Sequence, residues 1–357
     1  MNPKAQTELL NWYSVNKRKL PWRDTQNPYP IWLSEVILQQ TRVDQGMSYY
    51  LRFMENFPDI HQLANASEEQ VLKLWQGLGY YSRARNMHAT AKYISQNLNG
   101  IFPGSSVELA KLKGIGPYTA AAIASFAFHE AVPVLDGNVF RVLSRLWDED
   151  SAIDSTQGKK RFQLLAFESL NLSYPHLHNQ AIMELGALVC KPKNPDCPNC
   201  PIQTWCLAFK ADTVSMRPVK AGKTKVKNRY MHYFFLENGK SFLVAKRKAG
   251  DIWQGLFDLP EISFDVQPSD SQLSQAFQNL NSELKHVPLF SHSVYESMHL
   301  LSHRRLFARF YHVRFEDEIP GIQGFDLVEL ENLTQLPASR LFEKFQKNYI
   351  LQERKQE

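Results

Sequence analysis

The chain has 357 residues, of which 43% are hydrophobic and 22% are charged, and it carries a formal net charge of +5. These values are ordinary for a soluble globular protein, and the length allows two domains with their own cores. No apolar run approaches the roughly eighteen residues of a membrane span, and the N-terminus lacks the apolar stretch and cleavage site of a secretory signal. The modest positive charge permits an anionic partner without proving one.

Residues 1–215 have the pattern of helices joined by short loops, with apolar residues at helical spacing most clearly in 30–41, 68–94 and 119–128. The acid Glu35 lies in the middle of the first of these segments. Its neighbours leave two interpretations open. Periodicity alone favours an exposed polar face, whereas the second interpretation is a buried acid with a raised pKa.

A tight turn is predicted within residues 112–119, where Gly114 and Gly116 allow the bend and Pro117 suits the first turn of the next helix. Such a hairpin points backbone N–H groups and a helix N-terminus at one place, which is a site for a phosphate. The pattern alone is weak, because a helix cap followed by an ordinary turn has the same glycines.

Asp136 precedes a helix that is predicted to start near Asn138 and to run to Trp147. A helix N-terminus keeps a carboxylate ionised, although the most common role of Asp at such a position is to cap the helix. Both roles stay open from the pattern.

The four cysteines of the chain all lie within residues 190–206, as Cys190, Cys197, Cys200 and Cys206. Four thiolates on one short loop can close around one metal centre. Only Cys197 and Cys200 have the spacing of a zinc knuckle, so the pattern favours a cubane iron–sulfur cluster over a structural zinc ion. A thiolate site indicates a reducing, cytoplasmic location.

The sequence changes character at residues 216–229, where six basic residues and no acidic residue occur. This basic linker is interpreted as a plain spacer or as a strap that faces phosphates. Beyond it, a β-hairpin is predicted around Asn238 and Gly239, a helix over 269–285 and a strand over 303–315. The predicted domains are therefore 1–215, the linker 216–229, a smaller α+β domain at 230–350 and a tail at 351–357.

In this order, the Glu35 helix, the glycine turn, Asp136 and the cysteine loop resemble one family closely: the adenine DNA glycosylases of the MutY type, in the endonuclease III superfamily. The matching segments cover most of residues 20–206 and are 20–43, 74–88, 112–123, 135–146 and the cysteine loop. The resemblance implies a mainly α helix–hairpin–helix glycosylase domain with a [4Fe–4S] loop, followed by a C-terminal α+β Nudix-like domain. It also implies an enzyme of DNA base-excision repair that hydrolyses the N-glycosidic bond of adenine mispaired with 8-oxoguanine or guanine.

The resemblance implies roles for individual residues. Glu35 is the general acid that protonates adenine at N7, and Asp136 stabilises the sugar cation. Tyr118 and Asn138 complete the catalytic site, and Gln40 and Tyr80 wedge into the base stack. The residues implied to contact adenine are Trp22, Arg23, Gln180 and Glu184. Those implied to contact DNA are Gln40, Thr41, Leu78, Gly79, Tyr80, Lys113, Gly114, Gly116 and Tyr118.

Two further sites are implied by the resemblance. Backbone carbonyls of the hairpin turn hold a structural cation; they belong to Ala110, Leu112 and Ile115. The 8-oxoguanine reader is Leu301, Ser302 and His303, with Leu301 in place of the usual Phe. The catalytic carboxylates of a Nudix hydrolase are absent after residues 253–260, which leaves no obvious Mg²⁺ site for pyrophosphate hydrolysis.

The implied partner is double-stranded DNA with an 8-oxoguanine:adenine or guanine:adenine mispair, and the implied protein is a cytoplasmic, nucleoid-associated monomer that binds no membrane. A bifunctional glycosylase–lyase is the first competing interpretation, but such enzymes carry a Lys just after the glycine turn, where this chain has Pro117 and Tyr118. A non-catalytic DNA-binding protein and a Nudix hydrolase of oxidised nucleotides are the second and third.

Overall fold

A computed structural model gives the architecture of the protein for residues 1–222, 226–281, 283–284, 293–301 and 304–353. The chain divides into two compact units. The helical unit comprises Met1–Asn65 with Ala89–Lys223, and the mixed unit comprises Ala66–His88 with Thr224–Glu357. None of the helices in the described ranges combines the length and the apolar character that crossing a membrane requires.

The chain up to residue 222 is helical, as its periodicity predicts. Several helices begin at a side chain that accepts a backbone N–H of the first turn, including Asn2, Asn27, Ser105 and Ser155. The helices are α1 (Pro3–Asn16), α2 (Pro28–Leu38), α3 (Val43–Asn56), α4 (Ile60–Asn65), α5 (Glu68–Trp75), α6 (Ser82–Asn97), α7 (Ser106–Leu109), α8 (Pro117–Phe128), α9 (Gly137–Leu146), α10 (Thr156–Ser169), α11 (Pro175–Leu188) and α12 (Leu207–Lys210).

The helical pattern over 68–94 is interrupted between α5 and α6. Gly77, Gly79 and Tyr80 all have positive φ in this break, with values of 94°, 78° and 49°. A right-handed helix cannot continue through left-handed backbone, and two glycines make such a bend inexpensive. The tyrosine has no such freedom, so its conformation is held by the surrounding loop.

Two apolar clusters of the helical unit bring the catalytic candidates together. The larger one packs α1, α9, α10 and α11 on each other, through residues such as Leu9, Leu143 and Leu185. The smaller one packs α2 against α8 through Ile31, Ala122 and neighbouring side chains. The first cluster fixes the N-terminus of α9 beside α11, and the second fixes the middle of α2 beside the start of α8.

The first part of the basic linker is bonded to the helical unit. Asp154 accepts hydrogen bonds from the backbone N–H groups of Ala221, at 2.8 Å, and Gly222. The guanidinium of Arg217 forms an ion pair with Asp148 at 2.9 Å. Arg217 is therefore already neutralised by a carboxylate.

A seven-stranded sheet forms the centre of the mixed unit, in the order β3-β2-β1-β6-β5, with β4 also pairing with β1 and β7 with β2. β1 and β6 are parallel along their whole length, and the other pairs are antiparallel. The strands are β1 (Lys227–Glu237), β2 (Ser241–Lys246), β3 (Phe257–Asp258), β4 (Glu261–Phe264), β5 (Tyr295–Leu300), β6 (Arg304–Arg314) and β7 (Asp326–Glu329). The helices are α13 (Asp270–Gln278), α14 (Arg340–Phe345) and α15 (Leu351–Glu353).

The predicted hairpin is confirmed, since β1 and β2 pair antiparallel across Asn238 and Gly239. The helix predicted over 269–285 is shorter, because α13 ends at Gln278. Only Leu273 and Phe277 of α13 are buried in the core of the unit. The asparagine-containing stretch after it, from Asn279, favours a turn because Asn side chains compete for backbone hydrogen bonds.

Segment 66–88 packs on the sheet side of the mixed unit through polar contacts. Lys73 Nζ donates to the carbonyls of Thr334 and Leu336, at 2.5 and 3.1 Å. Arg85 Nη1 donates to the carbonyl of Gln254 at 2.5 Å, and Lys246 pairs with Glu69 at 3.0 Å. These contacts explain why α5 belongs to the same compact unit as a sheet that follows it by more than a hundred residues in the sequence.

Candidate active site

A cavity of about 180 Å³ in the helical unit gathers most of the predicted catalytic and adenine-contacting residues. It is bounded by α2, the start of α8, the N-terminus of α9, one face of α11 and the segment before α2. Its lining residues are Arg18, Leu20, Trp22, Arg23, Ile31, Glu35, Leu38, Thr41, Val43, Tyr118, Phe126, Asp136, Asn138, Gln180, Met183, Glu184 and Ala187.

Glu35 is a buried acid at one end of this cavity, with 8% of its surface exposed. The Tyr118 hydroxyl donates a hydrogen bond to Glu35 Oε2 at 2.8 Å. Burial raises the pKa of Glu35 to about 7; the Tyr118 hydrogen bond opposes this increase, and the charge of Asp136 adds to it. The exposed-face interpretation of Glu35 is wrong, because every residue of α2 from Tyr29 to Ile37 is buried.

Asp136 is both the N-cap of α9 and a lining residue of the cavity. Its Oδ1 accepts the backbone N–H of Val139 at 2.7 Å, and its Oδ2 accepts from Asn138 Nδ2 at 2.6 Å. Burial raises the pKa of Asp136, while these hydrogen bonds and the charge of Arg141 lower it. The predicted N-cap role of Asp136 is therefore confirmed, and the same carboxyl group also lines the cavity.

The Asn138 side chain is held from behind by Arg141. Arg141 Nη2 donates to Asn138 Oδ1 at 2.7 Å and to the carbonyl of Gly186 at 2.8 Å, and its Nε donates to the carbonyl of Cys190 at 2.7 Å. A Cβ on Gly186 would meet Asn138 Cβ at 2.6 Å, so only glycine allows this approach of α11 to α9. Because the Asn138 carbonyl is occupied, its amide N–H group is turned towards Asp136.

The opposite end of the cavity is organised by Glu184, which is completely buried. It accepts hydrogen bonds from the backbone N–H, Nε and Nη2 of Arg18, and one from Arg23 Nη2 at 2.7 Å. Burial alone would raise the pKa of Glu184, but the two guanidinium groups hold it at about 2. Glu184 is therefore a permanent carboxylate whose oxygens are taken up by Arg18 and Arg23.

Arg18 contributes to the cavity although sequence reasoning did not single it out. In the sequence it lies between Lys17 and Lys19, and nothing in this short basic run distinguishes it from its neighbours. Arg141 was missed in the same way, since it lies within the apolar periodicity of α9. Trp22, which was predicted, is 8% exposed and packs edge-on against Tyr50 with ring centroids 4.9 Å apart.

A more open groove of about 610 Å³ adjoins the cavity and shares Glu35, Leu38, Tyr118 and Asp136 with it. The glycine turn lines this groove: Gly114 has a φ of 78°, and Gly116 is the N-cap of α8. Thr90 Oγ1 donates to the carbonyl of Lys113 at 2.6 Å and fixes the turn. Gln40 also lines the groove, in a left-handed conformation with φ of 57°.

The remaining DNA-contacting candidates, Leu78, Gly79 and Tyr80, belong to the mixed unit. Leu78 is buried, whereas the ring of Tyr80 is 48% exposed. The Gly79 carbonyl accepts from Trp75 Nε1 at 2.9 Å and from Arg83 Nη2 at 3.1 Å. These bonds anchor the loop that presents Tyr80 to solvent.

The four cysteines are free thiols that line one small cavity together with Arg145. Arg145 Nη1 donates to Cys190 Sγ at 3.3 Å, and burial raises the pKa of Cys200 to about 12. Within the described ranges, no group of three or more His, Cys, Asp or Glu side chains has the geometry to hold a metal ion. Four cysteine sulfurs around one cavity are a donor set for one centre, either an iron–sulfur cluster or a structural zinc ion.

The predicted cation site and the predicted 8-oxoguanine reader each contain a backbone hydrogen bond between described residues. Of the three carbonyls predicted to hold a cation, that of Leu112 accepts the N–H of Ile115 at 3.1 Å within the turn. The backbone N–H of Leu301 donates to the carbonyl of Arg304 at 2.8 Å, which closes the β5–β6 connection. Ser302 and His303 lie outside the described residues.

Comparison with protein families and relatives agrees with this architecture. Residues 33–166 match the family model of the HhH-GPD superfamily base excision DNA repair proteins, and residues 232–348 match that of the NUDIX domain. The chain is 35% identical to the adenine DNA glycosylase of Buchnera aphidicola subsp. Baizongia pistaciae, over 84% of this chain and 83% of the relative. The adenine DNA glycosylase of Homo sapiens is 43% identical over 56% of this chain and 38% of the relative.

Two solved structures are similar in fold. They are a thermostable thymine-DNA glycosylase, with a TM-score of 0.53 and 23% identity, and a non-covalent endonuclease III–DNA complex, with a TM-score of 0.50 and 22% identity. They cover 58% and 60% of this chain, and 95% of each of the two solved chains is matched. Together with the family models, they confirm the predicted fold class.

Proposed function

The chain belongs to the adenine DNA glycosylase family, and we propose that it hydrolyses the N-glycosidic bond of adenine that is mispaired with 8-oxoguanine or guanine in duplex DNA. The observation that carries this proposal is the buried Glu35, whose carboxyl group has a pKa of about 7 and shares one cavity with Asp136. Two acids with different surroundings in one pocket can divide the work of breaking a glycosidic bond.

The adenine enters the cavity flipped out of the helix, because its glycosidic bond cannot be reached inside the stacked duplex. Glu35 donates its proton to N7 of the ring, and the electron pair of the C1′–N9 bond leaves with the base. The Tyr118 hydroxyl, which is bonded to Glu35 Oε2, orients the carboxyl group and lies beside the sugar.

The ionised Asp136 stabilises the cationic sugar that remains, and Asn138 holds its carboxylate in place. Water then adds to C1′, and the proton that it loses returns to the Glu35 carboxylate. The proton that Glu35 gives to adenine is replaced by the proton that water loses. No other acid or base therefore has to enter the cavity from solvent.

We propose that Trp22, Arg23 and Gln180 contact the adenine. Glu184 contributes through Arg23 and Arg18, because its oxygens are already occupied by these two side chains. Gln40 and Tyr80 act as the wedges, and the DNA backbone follows the hairpin turn; the further contacts are Thr41, Leu78, Gly79, Lys113, Gly114, Gly116 and Tyr118.

The reaction stops after base removal. A lyase forms a Schiff base with a lysine, and no lysine is among the residues that line the cavity in the described chain. Its cations are Arg18 and Arg23, which stay protonated at neutral pH and cannot act as amine nucleophiles. This separates the chain from a bifunctional glycosylase–lyase.

Cys190, Cys197, Cys200 and Cys206 would hold a [4Fe–4S] cluster, which would tie the cysteine loop to the residues that follow α11. The carbonyls of Ala110, Leu112 and Ile115 hold a cation at the turn. The Nudix-like part reads 8-oxoguanine with Leu301, Ser302 and His303. The domain limits 1–215, 216–229 and 230–350, a monomeric state and a cytoplasmic location are further parts of the proposal.

The decisive experiment is single-turnover adenine release from duplexes with 8-oxoguanine, guanine or cytosine opposite the adenine. We expect release from the first two, and strand breaks only after hot alkali. Strand breaks without alkali would favour the lyase. Duplex binding without release from any mispair would favour a non-catalytic DNA-binding protein.

A further inference from the structure

A tyrosine outside the predicted site is hydrogen-bonded to one of the residues proposed to contact adenine. Tyr13, on α1, is 3% exposed, and its hydroxyl lies 2.5 Å from Gln180 Oε1 on α11. The Arg23 guanidinium lies over the ring of Tyr13, with Cζ 5.8 Å from the centroid. The bond joins two helices that are far apart in the sequence, at the wall of the cavity that Gln180 lines.

The hydrogen bond from Tyr13 fixes the orientation of the Gln180 side-chain amide, because it holds the amide oxygen on the side of Tyr13. Burial raises the pKa of Tyr13, so its hydroxyl keeps its proton and donates to the amide oxygen. Within the described part of the chain, the Gln180 Nε2 group has no hydrogen-bond partner. The amide oxygen retains a second lone pair. Gln180 can therefore present Oε1 as an acceptor and Nε2 as a donor to a base in the cavity, and the positions of these two atoms are fixed.

We propose that Tyr13 is a positioning residue that makes Gln180 specific for adenine. This inference rests on the proposed function. If Glu35 contacts N7 of adenine, Gln180 can contact the neighbouring edge of the base. This edge carries the 6-amino group as a donor and N1 as an acceptor. A fixed amide matches that pair, as Gln and Asn amides match the donor and acceptor of adenine in DNA recognition.

Hypoxanthine is the sharpest competitor for this arrangement. It keeps the purine ring and N7, but its 6-oxygen is an acceptor and its N1–H is a donor, the reverse of adenine. A fixed amide would place acceptor against acceptor and donor against donor. A site built for one pattern of donors and acceptors rejects the reversed pattern because its polar groups are left unpaired.

Tyr13→Phe tests the proposal, because it removes the hydroxyl, keeps the ring and leaves the amide free to turn. The measured quantity is the ratio of single-turnover rates for adenine and hypoxanthine, each placed opposite guanine in the same duplex. We expect this ratio to fall about 3- to 10-fold, the size of one lost hydrogen bond. Loss of folded protein scales both rates equally, so it cancels in the ratio.

Tyr29→Phe is the matched control. Tyr29 is also 3% exposed, and its hydroxyl donates to the Phe57 carbonyl at 2.5 Å, but its acceptor does not line the cavity, whereas Gln180 does. We expect it to lower stability without changing the ratio. In a Gln180→Ala background, Tyr13→Phe should change the ratio no further.

An unchanged ratio in Tyr13→Phe, with adenine release by the wild type, would overturn the positioning role and leave the proposed function standing. A wild-type protein that releases adenine from no mispair would instead overturn the proposed function, and this inference with it. A ratio that falls equally in Tyr29→Phe would show that Tyr13 acts only through packing.

Discussion

Both units of the molecule contain largely buried carboxyl groups, but the groups that bind these carboxyl groups differ. In the cavity of the helical unit, the Tyr118 hydroxyl donates to Glu35, and an amide side chain and a backbone N–H donate to Asp136. In the mixed unit, Arg247 binds three carboxylates at 2.8 to 2.9 Å: Asp251, Asp258 and Glu261. Burial is similar in the two places, and the cation is the difference.

In the mixed unit, burial and the charge of Arg247 act on the acids in opposite directions. Burial by itself disfavours the charge of Arg247, but the surrounding carboxylates hold its pKa above the ordinary value. The carboxylates around it respond differently: burial would raise the pKa of Asp251, but the hydrogen bond from Arg247 lowers it, whereas burial of Asp258 outweighs the charge of Arg247 and raises the pKa of this acid to about 7. Glu35 is bonded to a neutral hydroxyl instead of a cation and titrates near neutral pH, as a general acid must. The same contrast exists inside the cavity, where Glu184 between two arginines has a pKa of about 2.

Glu35→Gln should have the largest effect, because it removes the transferable proton and retains the shape. A missing general acid costs about 10²–10⁴ in rate, so single-turnover adenine release should be nearly lost while duplex affinity is kept. Glu55→Gln, at an exposed position, is the control and should retain full activity. Wild-type turnover in Glu35→Gln would contradict the assignment of the acid.

Arg247→Ala should show that the acids of the mixed unit depend on their cation. Removing one partner of a buried ion network costs about 3–5 kcal/mol, because the remaining charges are left uncompensated. Urea unfolding of the full chain measures this loss, with the exposed Arg305→Ala as the control. Equal stability of the two variants would mean that the network contributes nothing to folding.

Asp136→Asn separates capping from catalysis. Asn caps a helix as well as Asp does, so the melting temperature should change little. The charge that faces the sugar is lost, however, and a lost electrostatic contact of this kind costs about 10²–10³ in rate. Adenine release that survives in this variant would show that Asp136 is only an N-cap.

The rate of base release should also depend on pH through Glu35. The acid is active when protonated, so the rate should fall as pH rises above its pKa of about 7. The rate should fall again at acidic pH, where Asp136, whose pKa is raised by burial, takes up a proton and loses its charge. The free energy of unfolding should also decrease with rising pH, because the folded state favours the neutral form of Glu35. The contribution of Glu35 to stability is lost as pH rises from the ordinary pKa of 4.5 to about 7. A rate that keeps rising as the pH increases above about 7 would exclude Glu35 as the acid.

The smallest expected effect concerns Ser302, which we propose as a reader of 8-oxoguanine. Ser302→Ala should lower the preference for 8-oxoguanine over guanine by one neutral hydrogen bond, about 0.5–1.5 kcal/mol. The ratio of adenine-release rates on the two duplexes measures it, and Ser271→Ala on α13 is a control. An unchanged ratio would mean that another group reads the damaged base.

The sequence by itself determined the features that depend on local spacing. These include the cysteine loop, the glycine turn before α8, the N-cap position of Asp136 and the hairpin at Asn238 and Gly239. Each is set by residues within a few positions of one another, so a linear pattern is enough to predict it. The order of these motifs also sufficed to indicate the family.

The tertiary structure alone decided which side chains meet in the cavity. Periodicity favoured an exposed Glu35, and the packing of α2 inside the helical unit buried it instead. Arg18 reaches Glu184 across 166 positions of sequence, and Tyr13 reaches Gln180 across 167. Contacts of this kind leave no period in the sequence, because they arise when the apolar faces of distant helices pack and carry their polar neighbours into one site.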